Sequence, residues 1–537
     1  MKDNQNKEKS PYIVDLKKRF KSPEKNIGVD SDINIKRKKI SFKSLAVFIS
    51  VCFILISFFY SLSYIDKFSF YPGKIYQSIV KITKLKDFIP LIKFYKKILA
   101  NPNSQRYLIL FQNNNEMRGT GGFLGSFAIV EFEDKKIKRL EIPGQGPYGF
   151  RNLFSQKTGK WLKPPAPFLM INNHWEMQDM NWWPDFASSA QKVAWFYQRA
   201  TEEESDGVIA FDTVFIEELL KITGVLEIPE YNKTISAENF LWETQETVES
   251  KEARASGEPK KFIADLAPLL LNKISSFSKK DYINLLFLID KMRKEKHFMI
   301  YFKDNDLEKE ILKLGFGGEI KDTQKDYLMV VNTNINGGKT DGMIKQTINH
   351  QAEVLADGSV ISQVEITREH QGDPENKFTR MTNNSYIRVY VPIDSKLLSV
   401  EGFDAPDKEK FLISEPICEE DDDLKRISGE IKMDESTNTS INNELNKTVF
   451  GNWMILKLGE RNTLKLRYLL PFKLEKSYSL LIQKQAGVKD GRIISEIVLP
   501  ESYDVAWQYP KNLTKKARTI EFYDDLSEDK YWGVVFK

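Results

Sequence analysis

Apolar positions follow three rhythms along the chain. From Ser44 to Ile65 they are continuous: SLAVFISVCFILISFFYSLSYI contains no charged residue. A run of about 22 residues spans roughly 33 Å as a helix, enough to cross a hydrocarbon core of about 30 Å. In lipid a helix satisfies its own backbone hydrogen bonds. Between residues 103 and 340 short apolar runs alternate with segments of helical period. Beyond residue 341 apolar and polar residues alternate one by one.

The first rhythm predicts a membrane anchor with a defined direction. Lys36, Arg37, Lys38, Lys39 and Lys43 precede the run, whereas Asp66 and Lys67 follow it and cancel. The positive-inside rule places the N-terminus in the cytoplasm and the long remainder outside. A cleaved signal peptide has a shorter apolar region and a small-residue cleavage site, and this run has neither feature. Residues 1–43 read as a basic, disordered cytoplasmic arm, 44–65 as the transmembrane helix, and 66–102 as a helical stalk.

The second rhythm predicts an α/β domain over 103–340. Tyr107–Phe111 reads as a buried strand. Gly122–Phe132 and Ile137–Ile142 read as a hairpin joined to it. Gly207–Phe211, His297–Phe302 and Tyr327–Val331 are further strands. Helices are expected over Phe186–Arg199, Thr213–Thr223, from Ser236, and over Phe262–Phe277, Lys279–Lys296 and Asp306–Leu314. Pro143–Phe168 reads as a loop. The third rhythm predicts an antiparallel β-sandwich over 341–537, with Glu419–Asp423 and Ser436–Asn446 as loops or an insertion. The fold class is therefore α+β overall: one transmembrane helix, an extracytoplasmic α/β domain and a C-terminal sandwich.

Composition narrows the chemistry. Lys and Arg number 79 against 75 Asp and Glu, so no nucleic-acid partner is expected. Cys52 lies in the apolar run and Cys418 far outside it, which leaves no disulfide framework and no cysteine metal site. His174, His297, His350 and His370 show no zinc-hydrolase spacing.

Two stretches stand out for candidate chemistry. In QNNNEMRGTGGFLGS (112–126), Arg118 presents a fork suited to a phosphate or carboxylate, and Glu116 is placed to orient it. Gly119, Gly121 and Gly122 permit close approach of backbone to another group. The plain alternative is a turn between core strands with a local Arg118–Glu116 ion pair. NTNINGGKTDG, which begins at Asn332, reads either as a ligand-binding loop or as a domain linker. Asp179 and Asp185, with Asp206 and Asp212, are acids near element ends that suit a divalent cation such as Mg2+. A helix-start role for Asp185 and a turn role for Asp206 are the simpler readings. Trp161, Trp175, Trp182 and Trp183 suit either a sugar-stacking surface or a core.

FQNNNEMRGTGGFLGSFAIV, MNWWPDFASSA, DGVIAFDTVFIEELLKITGVLEIPEY and VVNTNINGGKTDG together resemble the bacterial domain-of-unknown-function family 4012 over roughly 106–342. The β-rich remainder is similar to the region C-terminal to that domain in family members. The resemblance implies a membrane-anchored extracytoplasmic protein. A more remote resemblance, to the LytR–CpsA–Psr cell-wall phosphotransferases, rests on Arg118, the strand–turn–strand ending at Ile142–Pro143, and Gly224–Val225. It implies a lipid-pyrophosphate substrate, arginines on the pyrophosphate and a divalent cation. The chain departs from that pattern where Gly119 and Thr120 follow Arg118 and where Gly144 and Gln145 replace an arginine–acid pair, leaving Arg151 as the nearest substitute.

These readings predict a single-pass cell-membrane protein of the cell envelope that binds or assembles without catalysis. Its expected partners are the lipid bilayer and a cell-wall glycan, a polyprenyl-pyrophosphate lipid or an envelope protein. The alternative is a divergent metal-dependent phosphotransferase that attaches glycopolymers to the cell wall. In it Arg118, Glu116 and Arg151 form the catalytic set, Gly119, Gly121, Gly122 and Asn332 bind the ligand, and Asp179 and Asp185 hold the metal.

Overall fold

The computed structural model describes residues 103–537 apart from 134, 135, 415–417 and 502, together with Pro90, Phe94, Lys97 and Ile98. The expected arm, the anchor Ser44–Ile65 and nearly all of the stalk lie outside the described residues. Among the described residues no helix is long and apolar enough to cross a membrane.

The described chain is a mixed α+β structure with several sheets. The first has five strands. In spatial order they are Lys136–Glu141, Phe123–Glu133, Gln105–Asn113, Gly207–Asp212 and Phe298–Phe302. Within it only the 105–113 and 207–212 strands pair in parallel; the other pairings are antiparallel. The central strands carry apolar side chains on both faces, and both faces are covered. Trp183, Phe186, Val193 and Phe196 pack on one side with Leu108, Leu110 and Phe127. Helices Thr213–Thr223, Phe240–Val248, Lys261–Ser275 and Lys279–Lys294 build the other core with Tyr107 and Phe302.

Helix starts follow local chemistry. Asp212 accepts from the Val214 amide at 3.0 Å and caps 213–223. Ser278 and Asp281 form a reciprocal capping box on 279–294. Two elements depart from expectation. Helix Arg151–Thr158 occupies the stretch read as a loop, and its buried Phe154 stacks on Phe196 at 4.5 Å. The acidic stretch is the start of helix Asp422–Ser428, capped by Asp421, and Thr439–Glu444 is a strand paired with Lys447–Leu456. A run of acids reads as a solvated loop until tertiary contacts answer its charge. Here Lys192 pairs with both Asp421 and Asp423.

Two larger sheets of seven and eight strands share one core, built from Val364, Leu466 and Ile497 on one side and Val330, Val389 and Phe450 on the other. Strand Asp326–Asn334, which the sequence places in the α/β region, sits inside the eight-stranded sheet, beside Asn383–Pro392 and Ser477–Ile482. Neither sheet is purely antiparallel. Ile344–Val354 pairs in parallel with Arg492–Val498, and 326–334 pairs in parallel with 477–482. Alternation assigns faces but not direction. A parallel neighbour needs only a long enough crossover, and more than a hundred residues separate each of these pairs.

Candidate functional site

The stretch 112–126 leaves the first sheet, turns, and returns to it against the second part of the molecule. Its glycines face the protein's own backbone. A Cβ on Gly119 would lie 2.2 Å from the Trp182 carbonyl oxygen. Gly121 has φ +114° and packs on Ala486 and Gly487, while Gly122 packs on Asn113.

This turn buries Arg118, which is 1% exposed. Its Nε donates to Asp179 Oδ1 at 3.0 Å and its Nη2 lies 2.9 Å from the same oxygen. Nη2 also donates to Glu116 Oε1 at 3.2 Å. Nη1 donates to the Met117 carbonyl at 3.1 Å and to the Asn334 carbonyl. The Phe123 and Phe168 rings lie 5.2 and 5.6 Å from the guanidinium carbon. Lys339 pairs with the other oxygen of Glu116. Every guanidinium nitrogen is therefore matched, and the partners come from both parts of the chain.

Burial raises the Glu116 carboxyl, but the charges of Lys339 and Arg118 outweigh it and hold the group below the usual range. Asp179 shares Arg118 with Glu116. Burial, opposed by Arg118 and reinforced by Glu116 and Glu176, pushes Asp179 up to about 6. Arg151 lies beside this cluster and not within it: its Nη2 donates to Glu176 Oε2 at 2.6 Å. His174 Nε2 is 2.7 Å from the other oxygen of Glu176. Burial raises Glu176, and hydrogen bonds from His174 and Asn172 with the Arg151 charge bring it down to about 2.

The remaining candidates have partners within the protein. Asp185 accepts from Ser188 N at 2.9 Å as a helix cap and from Ile320 N at 3.1 Å. Asp206 accepts from the Arg106 amide at 2.7 Å, and Asp212 lies 2.5 Å from His297 Nδ1. Among the described residues no group of three or more His, Cys, Asp or Glu is placed to hold a metal ion. Trp175, Trp182 and Trp183 are buried in the core, and Trp161 lies half-buried against His174. Asn332 is held by Gln485, which accepts from its amide at 2.9 Å and donates to its carbonyl at 2.9 Å.

Beside this cluster lies a cavity of about 190 Å³ between the first sheet and helices 213–223, 240–248 and 261–275. Phe111, Phe215, Leu219, Phe240, Leu266 and Leu270 line it, with Gln112, Asn113 and Gln245 among its polar residues. Lys260 is the one cation among its described lining residues, and Asp212, which caps helix 213–223 and pairs with His297, is the one acid. Burial, reinforced by the Lys339 charge, pushes the Lys260 ammonium down to about 8. Sequence reasoning missed Lys260 and Lys339. Lys339 lay inside the NTNINGGKTDG stretch, but nothing in the sequence aims Lys260 at a cavity.

The fold and this site define an α+β protein in which an α/β sheet with a lipophilic cavity is locked to a double-sheet part by a buried ionic cluster. Residues 103–248 match the family described as "Protein of unknown function (DUF4012)", as the motifs around Arg118 lead one to expect. No curated protein matches the chain. Among solved structures the chain is similar to TagV of B. subtilis, with 12% identity over 41% of this chain and 81% of that one, at a TM-score of 0.23. It is also similar to protein gbs0355 of Streptococcus agalactiae, with 13% identity, 41% and 76% coverage and a TM-score of 0.24. A third is the Lin1025 protein of Listeria innocua, with 10% identity, 42% and 85% coverage and a TM-score of 0.22.

Proposed function

We propose that this protein is an envelope-associated, single-pass membrane protein that binds a lipid-like ligand without turning it over. The observation that carries the reading is the cavity: an apolar lining with Lys260 as the one cation among its described residues. Pockets of this kind take an apolar chain and fix its orientation with a few polar groups. Lys260 suits an anionic head such as a phosphate. The apolar run Ser44–Ile65 would hold the site outside the membrane, near its lipids. Arg118 counts against catalysis, because its nitrogens are engaged by Glu116, Asp179 and two carbonyls and none is left for a pyrophosphate.

Thermal unfolding of the full chain in nanodiscs tests this reading, with geranyl phosphate and geraniol as probes. A ligand that binds only the native state at about 100 times its Kd adds about 2.7 kcal/mol. Geranyl phosphate is expected to raise the midpoint, geraniol less so, and Leu270→Trp, which fills the cavity, to abolish both shifts. No shift with either probe would remove the reading.

The second reading, a divergent glycopolymer phosphotransferase, is favoured by one observation. Asp179 is a buried acid pushed up to about 6 beside a buried arginine, as groups at reactive centres often are. It requires Arg118 to exchange its carboxylates for a pyrophosphate. Mg2+-dependent transfer of a glycan from a lipid pyrophosphate, lost in Arg118→Lys, would establish it.

A further inference from the structure

Lys260 has properties that the binding of an anionic head does not use. It is the N-cap residue of helix Lys261–Ser275 and stands half-buried on the wall of the apolar cavity. Its backbone amide donates to the Gly144 carbonyl at 2.8 Å. Gly146 packs on its stem: a Cβ there would lie 3.3 Å from Lys260 Cγ. Residues 144–146 thus confine the side chain beside the cavity.

The ammonium lacks what ordinarily keeps a lysine charged. Among the described residues it makes no hydrogen bond and no ion pair. Burial, reinforced by the Lys339 charge, lowers it to about 8, and the carboxylates of Glu249 and Glu116 oppose this only from a distance. The dipole of the helix that Lys260 caps also disfavours a positive charge at its start. Neighbouring polar groups of the wall are committed elsewhere. Asn113 donates to Gln245 at 3.1 Å, Gln112 accepts from Thr120 at 2.9 Å, and Asp212 pairs with His297. At pH 7 roughly one such amine in ten is neutral, against about one in two thousand for an ordinary lysine.

A neutral amine beside an apolar space is a nucleophile for a carbonyl carbon. The walls around Leu266 and Leu270 suit the chain that carries the carbonyl. An aldehyde fits better than a ketone, because one chain and not two must be housed in about 190 Å³. We propose that Lys260 captures an apolar aldehyde in this cavity as a Schiff base. Its Nζ attacks the carbonyl carbon, a C=N bond replaces the C=O bond, and the oxygen leaves as water with the two amine hydrogens. No electrons are exchanged, so the step needs no redox partner. The inference rests on the cavity being a ligand site and not on the phosphate head proposed for it.

The test uses citronellal on the full chain in phosphatidylcholine nanodiscs, whose lipids carry no primary amine. Cyanoborohydride traps the Schiff base as a secondary amine, and mass spectrometry of the peptides reads each lysine. At pH 7 Lys260 is expected to be labelled at least about tenfold faster than the exposed Lys309 and Lys432. Geraniol, which has a similar chain and no carbonyl, is expected to slow labelling of Lys260 and leave the exposed lysines unchanged. Leu270→Trp is expected to do the same. Labelling of Lys260 no faster than that of the exposed lysines, or not slowed by geraniol, would overturn the proposal. A thermal shift with geranyl phosphate without preferred labelling of Lys260 would overturn the capture and leave the lipid reading standing. Neither shift nor label would remove both.

Discussion

Two neighbouring regions of the α/β part have opposite chemistry. Around Arg118 a buried guanidinium and a buried carboxylate meet a half-buried ammonium and a half-buried carboxylate, and each is paired. Under helices 213–223, 240–248 and 261–275 the walls are apolar, the space is open, and Lys260 is the one cation among the described lining residues. The Arg118 cluster joins 112–126 to Asn334 and Lys339 of the following part, so it fixes how the two parts dock. The cavity contributes nothing to that docking. The difference teaches where to look for a ligand. A conspicuous charged motif can be fully spent on the protein's own architecture, while an unremarked helix face encloses the space a ligand needs.

If the Arg118 cluster is architectural, disrupting it should be costly. Arg118→Met leaves Glu116 and Asp179 buried with less compensation. It is expected to lower stability by about 3–5 kcal/mol in denaturant unfolding of the full chain. A loss below about 1 kcal/mol would show that the cluster does not hold the parts together.

The next effect is a pH dependence. The folded-state value of Asp179, about 6, lies above its ordinary 3.8. Its protonated form is therefore favoured on folding. The stability it contributes is present below about pH 4 and is lost as pH rises through about 6, an effect on the order of 2–3 kcal/mol. Glu176, held at about 2, works the other way and loses its contribution only as pH falls below about 4.5. The difference in stability between the native protein and Asp179→Asn is thus expected to change between pH 4 and 6 and to level off above. A constant difference across that window would contradict the burial argument.

A smaller effect tests the close packing of the turn. Gly119→Ala sets a Cβ against the Trp182 carbonyl and is expected to cost about 1–3 kcal/mol, with geranyl phosphate binding retained. The smallest effect belongs to the cavity. With the Lys260 ammonium at about 8, affinity for geranyl phosphate should fall about tenfold between pH 7 and 9. Lys260→Arg, which stays charged, should abolish that fall. An unchanged pH profile in the variant would detach Lys260 from the ligand.

Much of the local structure was legible in the sequence. Helix Thr213–Thr223 has the bounds its periodicity predicts, and the Asp212 cap at its start is seen only in the structure. The apolar run at 107–111 lies within strand Gln105–Asn113. Helix 151–158 was hidden because Gly and Pro around it read as a loop, and only Phe154 anchors it. The parallel pairings in the large sheets were illegible because alternation carries no direction. At the site, Arg118 and Glu116 could be paired from their spacing. That Asp179, Asn334 and Lys339 would join them depends on contacts 61 or more residues apart. Lys260 is one of 79 Lys and Arg residues, and only burial separates it from surface residues.

The most direct test of the central claim is photo-crosslinking with a diazirine-bearing geranyl phosphate, followed by mass spectrometry of the labelled peptides. Labels are expected within 109–126, 207–223, 240–248 and 260–275, lost in Leu270→Trp and competed by unlabelled geranyl phosphate. Labels confined to other segments, or unchanged by Leu270→Trp, would contradict it.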